Sequence, residues 1–241
     1  MSLSIKQMRY GISTAYIISI LALSGCAVSG SKIQTFPSSE EASVAYDAAL
    51  VAMDMGQYQA AIKGFKQSIS LEPSPFLPHA WLAVAYYSNQ HYRQAAMEFK
   101  NATEILGGVE ESGPLPLMQA LSLMRAGDDN EAKELLEILS APNISTTGVG
   151  SYYSGGGTSQ GIWKVAAGYL LGNVSEEEYL GKAPQKDLTF PYLIIGINQI
   201  VKNDFAEAKA MLTKQIAVSG KGRWSHAMGE AELAWINQKG L

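Results

Sequence analysis

The stretch YQAAIKGFKQS at residues 58–68 is followed, 34 residues further along, by YRQAAMEFKNA at residues 92–102. The two stretches carry aromatic, small and large side chains at equivalent places, pairing Tyr58 with Tyr92, Ala61 with Ala95, and Phe65 with Phe99. Small residues let two helices approach closely where they cross, and phenylalanines fill the space beside the crossing. Pro73 follows the first stretch and cannot continue a helix. A fixed period of this length predicts a helical repeat protein.

The repeat extends beyond this pair of stretches. We expect four units, each a pair of helices, at residues 42–75, 76–109, 117–140 and 189–220. The small and large positions recur as Ala132 with Leu136 and as Ala208 with Leu212. Outside the units, residues 162–172 have helical periodicity, and Ser175 with Glu178 predicts a capping box for a short helix. A last helix at 226–237 is expected to cap the open end of the stack. The alternative is a non-repeating helical bundle, since no convincing strand alternation is found.

The order of small, aromatic and proline positions resembles the tetratricopeptide repeat (TPR) family. The back half, with WKV at 163–165, YLLGNVSE at 169–176 and AEL at 231–233, is similar to the NlpI type of bacterial TPR lipoproteins. The resemblance implies an all-α TPR helical solenoid with a capping C-terminal helix. It also implies an outer-membrane scaffold that presents peptidoglycan hydrolases or a protease to partners, with no catalytic residue of its own.

The first 26 residues have the pattern of a secretory signal. Lys6 and Arg9 precede an uncharged run of 14 residues, from Tyr10 to Leu23, that is too short to span a bilayer comfortably. Cys26 is the only cysteine and follows Leu-Ser-Gly, which resembles the lipobox of bacterial lipoproteins. The resemblance implies that residues 1–25 are removed and that Cys26 is lipidated. Because Ala27 rather than aspartate comes next, it also implies the periplasmic face of the outer membrane. An ordinary cleaved signal with a chance cysteine is the alternative.

Together these patterns divide the chain into five parts. They are a lipoprotein signal peptide (1–25), a lipidated tether (26–39), TPR units 1–3 (40–146), a Gly/Ser/Tyr-rich loop (147–161), and an irregular helix pair with a TPR-like fourth unit and a capping helix (162–241).

Hydrophobic residues make up 47% of the chain and charged residues 17%, which excludes disorder as the main state. The net charge of −4 and the lack of a basic stripe argue against a nucleic-acid partner.

We find no constellation of residues that predicts chemistry. His79, His91 and His226 are scattered without the helical spacing of a metal site, so no metal and no cofactor is expected. The glycines between 148 and 161 lack the Lys-Ser/Thr of a phosphate-binding loop. We therefore expect a protein that is not an enzyme. A hydrolase is the less favoured class, because it needs a serine, a histidine and an acid to converge, and the sequence shows no such set.

In the TPR family the first helix of each unit lines a concave groove. By the repeat register, the partner-binding groove of this chain consists of Tyr46, Asp47, Leu50, Met53, Asp54, Trp81, Val84, Tyr87, Ser88, Met118, Leu121 and Arg125. This set is aromatic, contains methionine and is mildly acidic, which suits an amphipathic helix or an extended apolar segment with some basic residues. A clamp for a carboxylate is not expected, since Arg125 is its only basic member. Tyr152 and Tyr153 form a second candidate partner site, in the glycine-rich loop.

The sequence therefore predicts a lipid-anchored adaptor or scaffold that binds periplasmic or envelope proteins through the groove and meets the membrane through its lipid. The alternative is an accessory lipoprotein of a secretion, pilus or polysaccharide-export complex. Exposed aromatic residues leave homo-oligomerisation open.

Overall fold

A computed structural model describes residues 34–109, 112–142, 161–185 and 187–241, and these form eleven α-helices. They are α1 (Glu40–Asp54), α2 (Tyr58–Leu71), α3 (Phe76–Ser88), α4 (Tyr92–Ile105), α5 (Leu115–Ala126), α6 (Asp129–Ser140), α7 (Ile162–Leu170), α8 (Glu176–Lys182), α9 (Thr189–Val201), α10 (Phe205–Val218) and α11 (Trp224–Lys239). No strand occurs within the described ranges. The prediction of an all-helical chain is therefore confirmed.

Four helix pairs share one kind of turn. In the pairs α1–α2, α3–α4, α5–α6 and α9–α10, one residue of the turn has a left-handed backbone: Gly56 (φ 68°), Gln90 (63°), Gly127 (78°) and Asn203 (62°). In each turn, the residue after the left-handed one donates its backbone amide to the carbonyl five positions before it, at 2.8–2.9 Å. In the second pair, for example, the amide of His91 donates to the carbonyl of Tyr86. This bond closes the end of the first helix. The second helix begins two residues after the left-handed residue in all four pairs. The pairs are thus copies in backbone geometry, although the turn residue itself differs.

The positions that the repeat assigns to helix crossings are buried in all four pairs. The small ones are Ala61, Ala95, Ala132 and Ala208, and the large ones are Phe65, Phe99, Leu136 and Leu212. Gly196 shows why a crossing needs a small residue, because a Cβ atom there would lie 2.8 Å from Cγ of Leu212. Successive pairs also pack on each other, through α2 with α3 and α4 with α5. This packing is that of a stack of helical repeats.

Two short helices separate the third pair from the fourth. Ser175 caps α8, since its hydroxyl oxygen accepts a hydrogen bond from the Glu178 amide at 3.1 Å. The carboxylate of Glu178 bonds instead to Lys182, at 2.6 Å from Nζ. The predicted capping box is therefore half formed, because a lysine one turn along the helix takes the carboxylate that the box requires.

The last helix does more than end the stack. α11 packs on α10, as a cap would, but it also packs on α3 and α9, and α9 in turn packs on α5. The last helix therefore has contacts beyond those of a cap, because the chain folds back over its own earlier helices. Residues from Ile33 to Leu241 consequently form one compact unit. Within the described ranges, no helix combines the length and apolar character needed to cross a membrane.

Candidate interaction surface

Much of the predicted groove is covered by later helices of the same protein. Eight of its members are buried: Tyr46, Met53, Trp81, Val84, Tyr87, Ser88, Met118 and Leu121. Leu50 and Arg125 are partly buried, and only Asp47 and Asp54 are exposed. The prediction of a groove open to a partner is therefore corrected: α11 covers α3, and α9 covers α5. The repeat register identified side chains that face inward, but nothing in the repeat indicates what covers them.

A chain of aromatic rings runs from the N-terminal segment to α11. Centroid distances are 6.5 Å from Phe36 to Tyr46, 5.7 Å from Tyr46 to Phe65, 6.5 Å from Phe65 to Trp81, and 6.1 Å from Trp81 to Trp224. The last contact is edge-to-face, at 88°. Such ring pairs add to the stabilisation from burial alone. The beginning of α11 is thereby tied to the inner face of the first two helix pairs.

A buried ion pair ties the later part of α11 to α5. Nε of Arg125 lies 2.7 Å from Oε1 of Glu232, and its terminal Nη2 lies 3.0 Å from Oε2. The side chains of the two residues are 9% and 1% exposed. The guanidinium also lies between two rings, 4.7 Å from the centroid of Tyr92 and 4.6 Å from that of Trp235. This geometry combines a bidentate salt bridge with cation–π contacts on both faces.

Two phenols complete the cluster around this ion pair. The hydroxyl of Tyr87 donates to Oε1 of Glu232, and Arg125 donates to the hydroxyl oxygen of Tyr92 at 2.9 Å. Burial raises the pKa of both tyrosines, and the negative charge of Glu232 raises it further. Burial lowers the pKa of Arg125, but Glu232 outweighs that effect and the net direction is upward. Both phenols remain protonated and the guanidinium remains charged at physiological pH.

The guanidinium of Arg125 is already paired with Glu232, so it does not offer a free charge to a binding partner. A surface cleft of about 400 Å³ opens beside it, lined among others by Ile200, Phe205 and Trp235. A free guanidinium there would suit an anionic group. In this protein Glu232 neutralises the guanidinium from within the fold.

A second cluster holds the N-terminal segment against the α2–α3 turn. The carboxylate of Glu72 accepts hydrogen bonds from the Ser38 amide and hydroxyl at 2.7 Å each, from the Ser39 amide at 3.0 Å, and from the Gln34 side chain. These bonds, led by the Ser39 amide, lower the pKa of Glu72 to about 2. The predicted tether is thus fixed to the helical stack over its last residues, and no sequence pattern predicts this contact.

This clamp is expected to survive mild acid. A carboxyl whose pKa is lowered stabilises the fold above its ordinary value of 4.5, and that contribution is lost as the pH falls towards about 2. Hydrogen-exchange protection of the Ser38 and Ser39 amides should therefore be unchanged between pH 7 and pH 5 and should decline gradually below that range. It should be absent in Glu72→Ala at either pH. Half-loss of protection near pH 4.5 in the wild type would show that Glu72 has an ordinary pKa.

The histidines lie apart from one another. His79 contacts Glu98, with Nδ1 2.8 Å from Oε2, and His91 lies in the exposed turn before α4. Among the described residues, no three His, Cys, Asp or Glu side chains are placed to hold a metal ion.

One histidine does bring a serine and an acid together. Nδ1 of His226 lies 2.6 Å from Oγ of Ser219, and Nε2 lies 3.2 Å from Oε1 of Glu230. In the tautomer that carries its proton on Nε2, the ring would accept the serine hydrogen bond at Nδ1, as a base does from a nucleophile, but the Nε2–Glu230 contact lacks hydrogen-bond geometry. Sequence reasoning missed this set, because Ser219 ends α10 while the other two residues lie on α11. The Ser219–His226 contact also joins the C-cap of α10 to α11 across a short connection, whereas His226 and Glu230 lie one turn apart on α11.

The remaining predicted site residues lie outside the described residues. These are Cys26, Tyr152 and Tyr153. No family model matches the chain, and a search of curated proteins finds no significant match.

Proposed function

We propose that this protein is a lipid-anchored TPR scaffold that binds proteins of the bacterial envelope, such as peptidoglycan hydrolases or a protease, and performs no chemistry of its own. The observation that carries the proposal is the fourfold recurrence of one helix pair, with the same left-handed turn and the same buried small and large positions. Arrays of such pairs present extended rigid surfaces and serve as binding modules. A lipid at Cys26 would raise the local concentration of partners at the membrane.

Because α11 covers α3 and α9 covers α5, partners bind elsewhere on the stack or displace these helices. The test is chemical crosslinking of the intact protein in its native envelope, followed by mass spectrometry. Capture of peptidoglycan hydrolases or a protease supports the scaffold. Capture of an outer-membrane pore or a pilus subunit assigns the protein to an export complex. Capture of no protein contradicts the proposal.

The anchor has a test of its own. Cys26→Ser removes the thiol that would receive the lipid, so we expect labelled palmitate to enter the wild type and not the variant, and the variant to leave the membrane fraction. Ala27→Ser changes the neighbouring residue and keeps the thiol of Cys26, so it is the matched control and should be labelled like the wild type. Equal labelling of Cys26→Ser would refute the anchor.

A second candidate function, a serine hydrolase, is favoured by one observation, the convergence of Ser219, His226 and Glu230. A fluorophosphonate probe reacts with an activated serine and not with an ordinary one. Labelling of the wild type that is lost in Ser219→Ala would establish this function. No labelling of the folded wild type would leave the three residues as a connection between α10 and α11.

A further inference from the structure

An apolar stripe lies on the outer side of α1, away from the helical stack. Val44, Val51 and Met55 are 63%, 41% and 64% exposed, and Ala48 between them is also exposed. Their spacing of four, three and four residues is that of the a and d positions of a coiled coil. The buried residues of α1, among them Ala45, Ala49 and Ala52, lie on the opposite side and face the rest of the protein. The part of the fold that the structure describes therefore does not use this stripe.

The stripe differs from the other exposed apolar residues of the protein. Leu71, Met97, Ile138 and Val218 are exposed singly on separate helices, which is normal for a soluble surface. On α1, by contrast, exposed apolar residues follow one another over nearly the whole helix. A continuous seam of this kind is typical of a surface that pairs with another helix.

Acidic side chains follow one edge of the stripe. Glu40, Asp47 and Asp54 are exposed and recur every seven residues, at the g position of the same heptads. Glu41 adds a further acid, and α1 contains no lysine or arginine. Charges at g positions set which helix a coiled-coil seam accepts. The seam of α1 therefore favours a helix with basic residues beside its apolar positions.

We propose that α1 docks a basic amphipathic helix of an envelope partner, through its apolar seam and its acidic row. The inference deepens the proposed function and rests on the protein being a protein-binding scaffold. A second copy of the chain fits poorly. Antiparallel pairing would place the acidic rows against each other, and parallel pairing would place each row opposite Ala45 and Ala52, which are buried and carry no charge.

The test measures binding of a synthetic helix to the full-length protein in detergent, by fluorescence anisotropy. The probe is a labelled peptide of about three heptads with leucine at a and d and lysine at e and g, and the matched probe has glutamate in place of lysine. We expect the lysine peptide to bind and the glutamate peptide not to bind. In Asp47→Lys/Asp54→Lys the preference should reverse, with at least about tenfold weaker binding of the lysine peptide.

Two further variants distinguish peptide binding at the α1 seam from non-specific attraction of a basic peptide to an acidic protein. Glu131→Lys/Glu134→Lys changes two exposed acids on α6, alters the net charge equally, and should leave the affinity within about twofold. Val44→Ser/Val51→Ser removes apolar contact without changing charge and should weaken binding. Circular dichroism checks that each variant keeps its helical content. No binding of the lysine peptide, or equal loss in the α6 control, would overturn the proposal.

Crosslinking in the envelope tests the α1 site separately from the scaffold function. If crosslinking in the envelope captures the same partners from the wild type and from Asp47→Lys/Asp54→Lys, the scaffold stands and the α1 site is refuted. If the wild type captures no protein, the scaffold itself fails. Sedimentation that shows a dimer in the wild type and a monomer in the α1 variants would replace the basic helix by a second copy.

Discussion

Arg125→Ala is expected to lower the free energy of unfolding by about 3–5 kcal/mol, which is the usual cost of removing one partner from a buried ion pair. The substitution leaves the carboxylate of Glu232 almost without solvent, since its side chain is 1% exposed. It also removes the cation between the rings of Tyr92 and Trp235. Domains of this size are stable by only about 5–15 kcal/mol, so α11 should detach or the protein should unfold at a much lower temperature.

The protein contains a matched control for this prediction. Arg93 makes the same bidentate contact with Asp128, with both bonds at 2.7 Å, but its side chain is 71% exposed. Arg93→Ala should therefore cost no more than about 1 kcal/mol in urea unfolding. The double variant Arg125→Met/Glu232→Gln removes both charges, keeps an acceptor for Tyr87, and should regain most of the stability. Equal costs for the two arginines would mean that α11 is not held by this cluster.

Phe99→Ala is the second substitution with a large expected effect. Phe99 is fully buried at the helix crossing of the second pair, in the place that Phe65 takes in the first. Removing a buried phenyl ring leaves a cavity and typically costs about 3–5 kcal/mol. Because the positions are equivalent, Phe65→Ala should cost a similar amount.

Met97 supplies the control on the same helix. It is 64% exposed, so Met97→Ala should change the free energy of unfolding by less than about 0.5 kcal/mol. Thermal and urea unfolding of the three variants measure the difference. A small effect of Phe99→Ala, or unequal effects of the two phenylalanine variants, would contradict the repeat register.

Local patterns were enough to predict the helices and their crossings. Ala61 and Ala95 lie at crossings, and the turn before Tyr58 recurs before Tyr92, because these features depend on residues within one helix pair. The left-handed residue of the second turn is Gln90, which the 34-residue shift aligns with Gly56, although glycine is the usual residue at such a backbone position.

The site could not be predicted in the same way, because it depends on residues far apart in the chain. Arg125 and Glu232 are separated by 107 positions, and no local pattern links them. Glu232 itself was one available signal, because a carboxylate on the apolar side of a helix needs a buried cation as its partner. The sequence correctly grouped Trp81, Tyr87 and Arg125 on one face, but the cover of that face comes from α11. The seam on α1 was also readable, through the seven-residue spacing of Asp47 and Asp54.

The proposed binding of envelope proteins to the helical stack is tested by a photo-crosslinking amino acid at Val51 in the α1 seam, activated in intact cells, with the same group at the exposed Met97 of α4 as the control. We expect Val51 to capture an envelope protein through a basic helical segment, and Met97 to capture none. Capture of no protein at Val51, or of the same proteins with equal yield at both positions, would contradict it.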